Sequence, residues 1–345
     1  MEKFIVMKAL RIPQPGRIET VSLPETEPGA GEVLLGVKYV GFCGSDLNTF
    51  RGGNLMAKPR VIPGHEIGAV IEALGPDVPS HLRVGMKVTV NPYTNCGVCS
   101  SCRNGRPNAC KNNETLGVQR DGAMRGHIVL PWTKLIPADN LSLKECALVE
   151  PMSVGFHAVS RACVTDSDTV MVIGCGMVGL GAVVRASLRG AKVIAADVDE
   201  CKLGLAKEMG ASFALDTRNE GFHDQLMEIT GGMGPDVIIE AVGSPLTYNL
   251  AVNEVAFTGR VICIGYSKSD VTFQTKLFVQ KELDIRGSRN AMPLDFEAVI
   301  KYIERGNCPV DRLVSDVIKP EQAQETMEYW QANPGKVFRI LVDFQ

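Results

Sequence analysis

Cys96, Cys99, Cys102 and Cys110 fall within fifteen residues, in the run NCGVCSSCRNGRPNAC. Two CxxC steps share Cys99, and a short loop returns with Cys110. Four thiolates at this spacing can close a tetrahedron around Zn2+ and leave no vacant position, which makes a structural site rather than a reactive one. A second donor set is more dispersed. Cys43 stands in Gly41-Phe42-Cys43-Gly44-Ser45-Asp46, His65 and Glu66 in Pro63-Gly64-His65-Glu66-Ile67-Gly68, and Glu150 immediately before Pro151. One thiolate, one imidazole and one or two carboxylates can hold Zn2+ and leave room for water or substrate. Taken singly, each has a plainer role: a small buried hydrophobe for Cys43, a surface pair for His65 and Glu66, a turn cap for Glu150.

A third constellation is Gly174-Cys175-Gly176-Met177-Val178-Gly179. This GxGxxG ends an apolar run, opens a helical pattern and is followed by Asp197 at the end of the next apolar run. In that context it is a dinucleotide fingerprint. Gly174 permits the tight turn, Gly176 lets backbone approach the pyrophosphate, and Gly179 allows close helix–strand packing. The helix N-terminus offers unpaired N–H groups to phosphate. Asp197 can accept from the adenosine ribose hydroxyls and would repel a 2′-phosphate, which favours NAD over NADP.

The elements that must position these groups follow from texture. Up to about residue 150 the chain is rich in glycine, proline and short β-type runs, at 32–40, 61–73, 87–91 and 127–131, which indicates a compact, mostly β domain. From Thr169 onward, apolar strands (TVMVIG, KVIAAD, SFALD, DVIIEAV, RVICIG, ELDIRG) alternate with helical patterns at 177–189, 200–209, 222–230 and 245–256. Six such strands predict an α/β, doubly wound parallel sheet. A helix over 294–305 and a last β run over 337–344 remain, and that run can return to the first domain.

Bulk properties exclude several classes. The 345 residues suffice for two domains; 45% are hydrophobic and 22% charged, and the net charge of -3 gives no electrostatic case for nucleic acid or an acidic membrane. There are 11 cysteines. Those outside the candidate metal sets (Cys146, Cys163, Cys175, Cys201, Cys263, Cys308) are scattered, as expected of reduced thiols rather than a disulfide framework. The start, MEKFIVMKAL, lacks the apolar core of a signal peptide, and no apolar stretch is long enough to span a bilayer, so a cytoplasmic protein is expected.

Together, CGSD at 43–46, GHE at 64–66, the four-cysteine loop, the Glu150-Pro151 step and the GxGxxG with Asp197 resemble the zinc-dependent medium-chain dehydrogenases, on the branch of polyol and threonine dehydrogenases. The resemblance covers essentially the whole chain. It implies a GroES-like catalytic domain over 1–150, a Rossmann domain over 151–290 and a return to the catalytic domain over 291–345, with the active site in the cleft between domains. It implies one catalytic zinc on Cys43, His65 and Glu150, with Glu66 a ligand or a neighbouring carboxylate that exchanges with water, and one structural zinc on the four cysteines. It also implies NAD contacts from Met177, Val178, Lys202, Val242, Ile264, Gly265, Arg289 and Asn290, and assembly as a homo-oligomer, to which the apolar strand at 261–264 is a candidate contributor.

The implied reaction is hydride transfer from a secondary alcohol to NAD. Zn2+ lowers the pKa of the substrate hydroxyl, and Ser45, two residues after Cys43, accepts its proton. Relatives often continue the relay with a histidine three residues further on; here that place is Asn48, so the proton must leave through water, a ribose hydroxyl or Glu66. Asp46 is expected to orient His65. Gly287-Ser288-Arg289-Asn290-Ala291 resembles sugar-acid 5-dehydrogenases of the L-galactonate and L-idonate type, and the bidentate fork of Arg289 can hold an aldonate carboxylate; contact with the cofactor or a surface acid is at least as good a reading. Arg51, Arg60, Arg120 and Arg125 are further candidates. The segment DGAMRGH at 121–127 departs from the DGGFAEY of relatives, so specificity does not transfer by copying. Alternatives are a threonine 3-dehydrogenase or hexitol dehydrogenase, a zinc-free quinone reductase, and a non-catalytic NAD-binding protein.

Overall fold

The computed structural model describes residues 6–345; the first five residues of the start, on which the expectation about a leader partly rests, lie outside the described residues. The chain forms two compact units, one of residues up to Glu150 together with Phe296–Gln345, the other Pro151–Asp295.

The first unit begins with a hairpin of β1 (Val6–Gln14) and β2 (Arg17–Pro24). β3 (Glu32–Phe42) follows, then α1 (Gly44–Phe50), β4 (Glu66–Leu74) and β5 (Lys87–Val90). β6 (Tyr93–Thr94) and β7 (Glu114–Thr115) pair with each other and bracket α2 (Ser100–Arg103); β8 (His127–Pro131) and β9 (Leu135–Pro137) complete this part. β3 is the spine. It pairs with β4 along one side, and on the other it shares its length between β8 at its start and a late strand at its end. Alternation in VLLGVKYVGF buries Val33, Leu35, Val37 and Val40 in the core, which is why this run forms a central strand. The expected run at 61–73 becomes strand only from Glu66, because residues 62–64 are paired instead with the segment 122–124.

α3 (Leu143–Ala162) carries the chain from one unit to the other and passes through Pro151 without ending. No local signal announces this helix, since a residue before proline is biased away from helix. Its buried faces, including Cys146, Leu148, Val149, Met152 and Phe156, override that local bias.

In the second unit β10 (Thr169–Ile173), α4 (Met177–Leu188), β11 (Lys192–Asp197), α5 (Glu200–Glu208), β12 (Phe213–Asp216), α6 (Phe222–Ile229), β13 (Val237–Glu240), α7 (Pro245–Glu254), β14 (Arg260–Cys263), α8 (Lys276–Gln280) and β15 (Asp284–Gly287) alternate. The six strands are parallel in the order β12-β11-β10-β13-β14-β15. Buried Val170, Met171, Val172 and Ile173 in β10 are the continuous apolar run of a strand covered on both faces. β14 is hydrogen-bonded on both sides, so it cannot add to an intersubunit sheet; among the described residues the open edges are β12 and β15.

α9 (Pro293–Ile303) leads out of this unit, and α10 (Val310–Leu313), β16 (Asp316–Ile318), α11 (Ala323–Ala332) and β17 (Ile340–Asp343) finish the chain. β17 is the late strand on β3, in antiparallel register Ile340↔Phe42 to Asp343↔Tyr39. The first unit is thus closed by the last residues of the chain. No helix among the described residues is long and apolar enough to cross a membrane. All eleven cysteines are free of disulfides.

Because Ile340 is buried in the first unit's core beside Phe42, Ile340→Ala should cost about 2–5 kcal/mol of stability. A denaturant titration that shows no loss would mean β17 is not part of that core.

Candidate metal centre and nucleotide loop

In the first unit, Cys43 lies between the end of β3 and the start of α1. Its carbonyl accepts the N–H groups of Asp46 and Leu47 at 3.0 and 3.2 Å, and its own N–H donates to Asp46 Oδ2 at 2.9 Å. The short span Gly44-Ser45-Asp46 therefore fixes the direction of the thiol. His65 sits at the entrance to β4. Just before it, the Pro63 and Gly64 carbonyls accept the N–H groups of Met124 and Ala123 at 3.0 and 2.9 Å. Glu66 pairs with Gly41 in the β3–β4 ladder, and a Cβ on Gly41 would stand 2.1 Å from Glu66 Oε2. Glycine is required there so that the carboxylate can lie across the strand.

These turns bring one ligand atom each of Cys43, His65 and Glu66 within 4.8 Å of one another. Glu150, reaching in from α3, is not part of that tight group; its Oε1 accepts the Tyr93 hydroxyl. Ser45 Oγ, His65 Nδ1 and Glu66 Oε2 are buried and make no hydrogen bond. Buried polar atoms without partners are costly and rare, and a set of them around a thiol, an imidazole and a carboxylate fits a cation with an open position.

The electrostatics agree. Burial alone would push the His65 imidazole toward its neutral form, but the Cys43, Asp46 and Glu150 side chains raise its pKa well above the ordinary value. Burial raises the Glu150 carboxyl to about 7 against the pull of His65, with Glu66 adding to the rise. Burial likewise raises Asp46 to about 6. Asp46 does not orient His65 by a hydrogen bond, as expected from sequence. Its Oδ2 is taken by the Cys43 N–H, while Oδ1 and His65 Nδ1 are each unbonded, so it acts on His65 through charge.

Sequence reasoning missed two partners. Arg339, buried ahead of β17, donates from Nη1 to Glu66 Oε1 at 2.8 Å and to the Phe42 carbonyl at 2.7 Å. Tyr93 is the other. Nothing in local spacing links position 339 to position 66. The lone charge in the apolar run VFRILV was the available signal.

The four-cysteine loop is closely drawn. Sγ separations are 3.5 Å for Cys96–Cys110, 3.6 Å for Cys99–Cys102 and 3.8 Å for Cys99–Cys110, and all four sulfurs lie within 4.8 Å of one another. Zn–S bonds of about 2.3 Å imply tetrahedral edges of about 3.8 Å, so these four could hold Zn2+. Amide N–H groups of Cys102 and Lys111 lower the Cys99 thiol to about 6.

In the second unit, the residues expected to touch NAD follow the carboxyl ends of the parallel strands, where such sheets bind ligands. Gly174 to Gly179 connect β10 to α4. A Cβ on Gly179 would lie 1.7 Å from the Gly174 carbonyl oxygen, whereas nothing stands within 4 Å of one on Gly176. The turn is closed toward the sheet and open outward, and the first-turn N–H groups of Met177, Val178 and Gly179 have no intrahelical acceptor. Asp197 accepts from Cys175 N–H at 2.6 Å through Oδ2 and from Val198 and Asp199 N–H through Oδ1, so it braces the loop.

Lys202 is half-buried on α5, with its N–H on the Asp199 cap. Val242 has an exposed side chain. Ile264 and Gly265 donate to the Glu240 carbonyl at 2.9 and 3.2 Å. Fully buried Glu240 also accepts from Val242 N–H, Gly243 N–H and Thr247 Oγ1 through Oε1, and is the organiser of this edge that the sequence did not single out. Arg289 and Asn290, the latter with φ of 54°, lie between β15 and α9. That connection is anchored by Ser288 N–H to the Cys263 carbonyl and by Met292 N–H to Asp295, which also meets His157 at 2.8 Å.

Of the other arginines, Arg51 donates to the Gln331 carbonyl, Arg120 to Thr94, and Arg60 is exposed. Arg125 is half-buried, which lowers its pKa, and its Nε makes no hydrogen bond.

Residues 29–140 match the alcohol dehydrogenase GroES-like domain and residues 177–305 match the zinc-binding dehydrogenase family. L-galactonate-5-dehydrogenase of Escherichia coli (strain K12) is 33% identical over 92% of this chain and 93% of its own. Sorbitol dehydrogenase of Bacillus subtilis (strain 168) is 34% identical over 97% of both. Among solved structures, an alcohol dehydrogenase of E. coli CFT073 complexed with NADH superposes with a TM-score of 0.89 at 29% identity, over 98% of this chain and 99% of its own.

The pKa shifts set a sign for metal dependence. Glu150 and Asp46 are raised above their ordinary 4.5 and 3.8, and His65 above 6.5. All three hold protons more tightly when folded. Their contribution in the metal-free protein is present at low pH and fades as pH rises through about 7. A cation needs the unprotonated forms, so its stabilisation grows over the same window. The gap in Tm between zinc-loaded and stripped protein should widen from about pH 5 to about pH 7.5 by calorimetry; a gap that narrows would contradict this charge arrangement.

Proposed function

The chain belongs to the zinc-type medium-chain alcohol dehydrogenases, and from that membership we propose that it oxidises a secondary hydroxyl of a polyol or sugar acid to the ketone, with NAD as hydride acceptor. The preferred substrate is an aldonate of the L-galactonate or L-idonate type, oxidised at carbon 5. The observation that carries the reading is the close group of half-buried Cys43 with buried His65 and Glu66, in which His65 Nδ1 and Glu66 Oε2 have no hydrogen-bond partner. The matched relatives act, by their names, on a sugar acid and a hexitol.

When bound, zinc stabilises negative charge on the substrate oxygen and NAD takes the hydride. The chain supplies the rest. Cys43 and His65 hold the cation, with Glu66 and Glu150 as the carboxylates beside it. Arg339 holds Glu66 in place, its guanidinium donating to the buried carboxylate at 2.8 Å and offsetting the cost of that burial. Ser45 Oγ, buried and unbonded, takes the substrate's hydroxyl proton. Asn48 cannot carry it further, so it leaves by water, a cofactor ribose hydroxyl or Glu66. The open side of Gly176 admits the pyrophosphate, and Asp197, held by three backbone N–H groups, receives the ribose hydroxyls and disfavours a 2′-phosphate. Arg289 grips the substrate carboxylate.

NADH formation across aldonates, hexitols and threonine, with zinc measured on the same sample, tests the reading. It expects turnover with aldonates above the rest and about two zinc per chain; turnover with threonine alone would replace the substrate class. Ser45→Ala should lower kcat by roughly 100-fold at unchanged zinc content, and unchanged turnover would remove Ser45 from the proton path.

A further inference from the structure

Tyr93 is buried although it belongs to a two-residue strand at the foot of a surface loop. β6 and β7 pair Tyr93 with Thr115 and Thr94 with Glu114, and the four-cysteine loop is the chain between them. The Tyr93 backbone is committed on both sides: its N–H donates to Asn91 Oδ1 at 3.1 Å and its carbonyl accepts from Lys134 Nζ. The ring packs edge-on against Phe296, with centroids 6.3 Å apart at 68°. From that fixed base the hydroxyl donates to Glu150 Oε1. A side chain rooted in the closing ladder of the four-cysteine loop thus ends on Glu150, a buried carboxylate whose charge acts on His65 of the other metal group.

A buried carboxylate beside a cation must be held in one orientation to contribute a constant field or a constant ligand, and partners behind the ligands commonly do this. Resting on the reading that Cys43, His65 and Glu66 hold zinc, we propose that Tyr93 is a positioning residue of that centre: its hydroxyl fixes the Glu150 carboxylate, and through its place in the ladder it transmits the state of the four-cysteine loop to the reactive site. The loop then acts on the reaction through one hydrogen bond, although it holds no group that touches substrate.

Tyr93→Phe keeps the ring against Phe296 and removes only the hydroxyl. In the full-length holoprotein, a chelator should strip the non-loop zinc about 10-fold faster than in wild type. The visible bands of the cobalt-substituted centre should shift, and kcat should fall by a similar factor with KM for NAD unchanged. Cys102→Ser should also speed that loss in the wild-type background but add nothing to Tyr93→Phe. Wild-type release rate and wild-type cobalt bands in Tyr93→Phe would overturn the positioning role while leaving the dehydrogenase reading intact, provided wild type takes up two metal equivalents. Uptake of only one would overturn both. Additive effects of the two substitutions would overturn the link to the loop, and if Cys102→Ser does not fold, Tyr93→Phe alone decides the positioning role.

Discussion

The structure depends on one electrostatic constraint: a thiol, three carboxylic acids and an imidazole are taken out of water together. Cys43 and Asp46 lie at the start of α1, His65 and Glu66 at the start of β4 and Glu150 within α3, and every one of the four besides Cys43 is buried. Removing charge from water costs several kcal/mol per ion unless it is paired. Arg339 offsets part of this at Glu66, and Cys43 N–H and Tyr93 O–H satisfy part of it at Asp46 and Glu150. The remainder favours a divalent cation. The raised pKa values of His65, Glu150 and Asp46 are the same constraint seen from the proton's side.

Much of the fold around this constraint is selected by it. Gly41 leaves space for the Glu66 carboxylate, the 122–124 segment clamps the chain before His65, and α3 runs on through Pro151 where a break would displace Glu150. The second unit obeys a different logic. Asp197 and Glu240 spend their carboxylates on backbone N–H groups, which turns a half-buried acid and a buried one into loop anchors.

What the sequence revealed divides along the same line. Local chemistry was legible: the cysteine spacing, the glycine turn with Asp197, and the six alternating strands are each written within a few tens of residues. Cys43, His65 and Glu66 were legible as types, and the fold was needed to show that they meet. Arg339 and Tyr93 were not legible, because their partners are 273 and 57 residues away. Asp46 was assigned the wrong contact for a local reason: its carboxylate is captured by an N–H three residues back, a competition that helix starts commonly impose. The 261–264 strand was a candidate for an intersubunit sheet, but β14 is paired on both sides, since apolar character marks burial and does not say on which side the neighbours lie.

The guanidinium that compensates Glu66 is supplied by a strand-entry residue only a few positions from the end of the chain. During synthesis every donor of the reactive group leaves the ribosome long before Arg339 does. A nascent polypeptide that stops short of Arg339 therefore holds Glu66 without its counter-ion, and loading of the ion is expected to mature only once Arg339 has emerged. A stop at or shortly before position 339 would remove this counter-ion while leaving Cys43, His65, Glu66 and Glu150 in the chain.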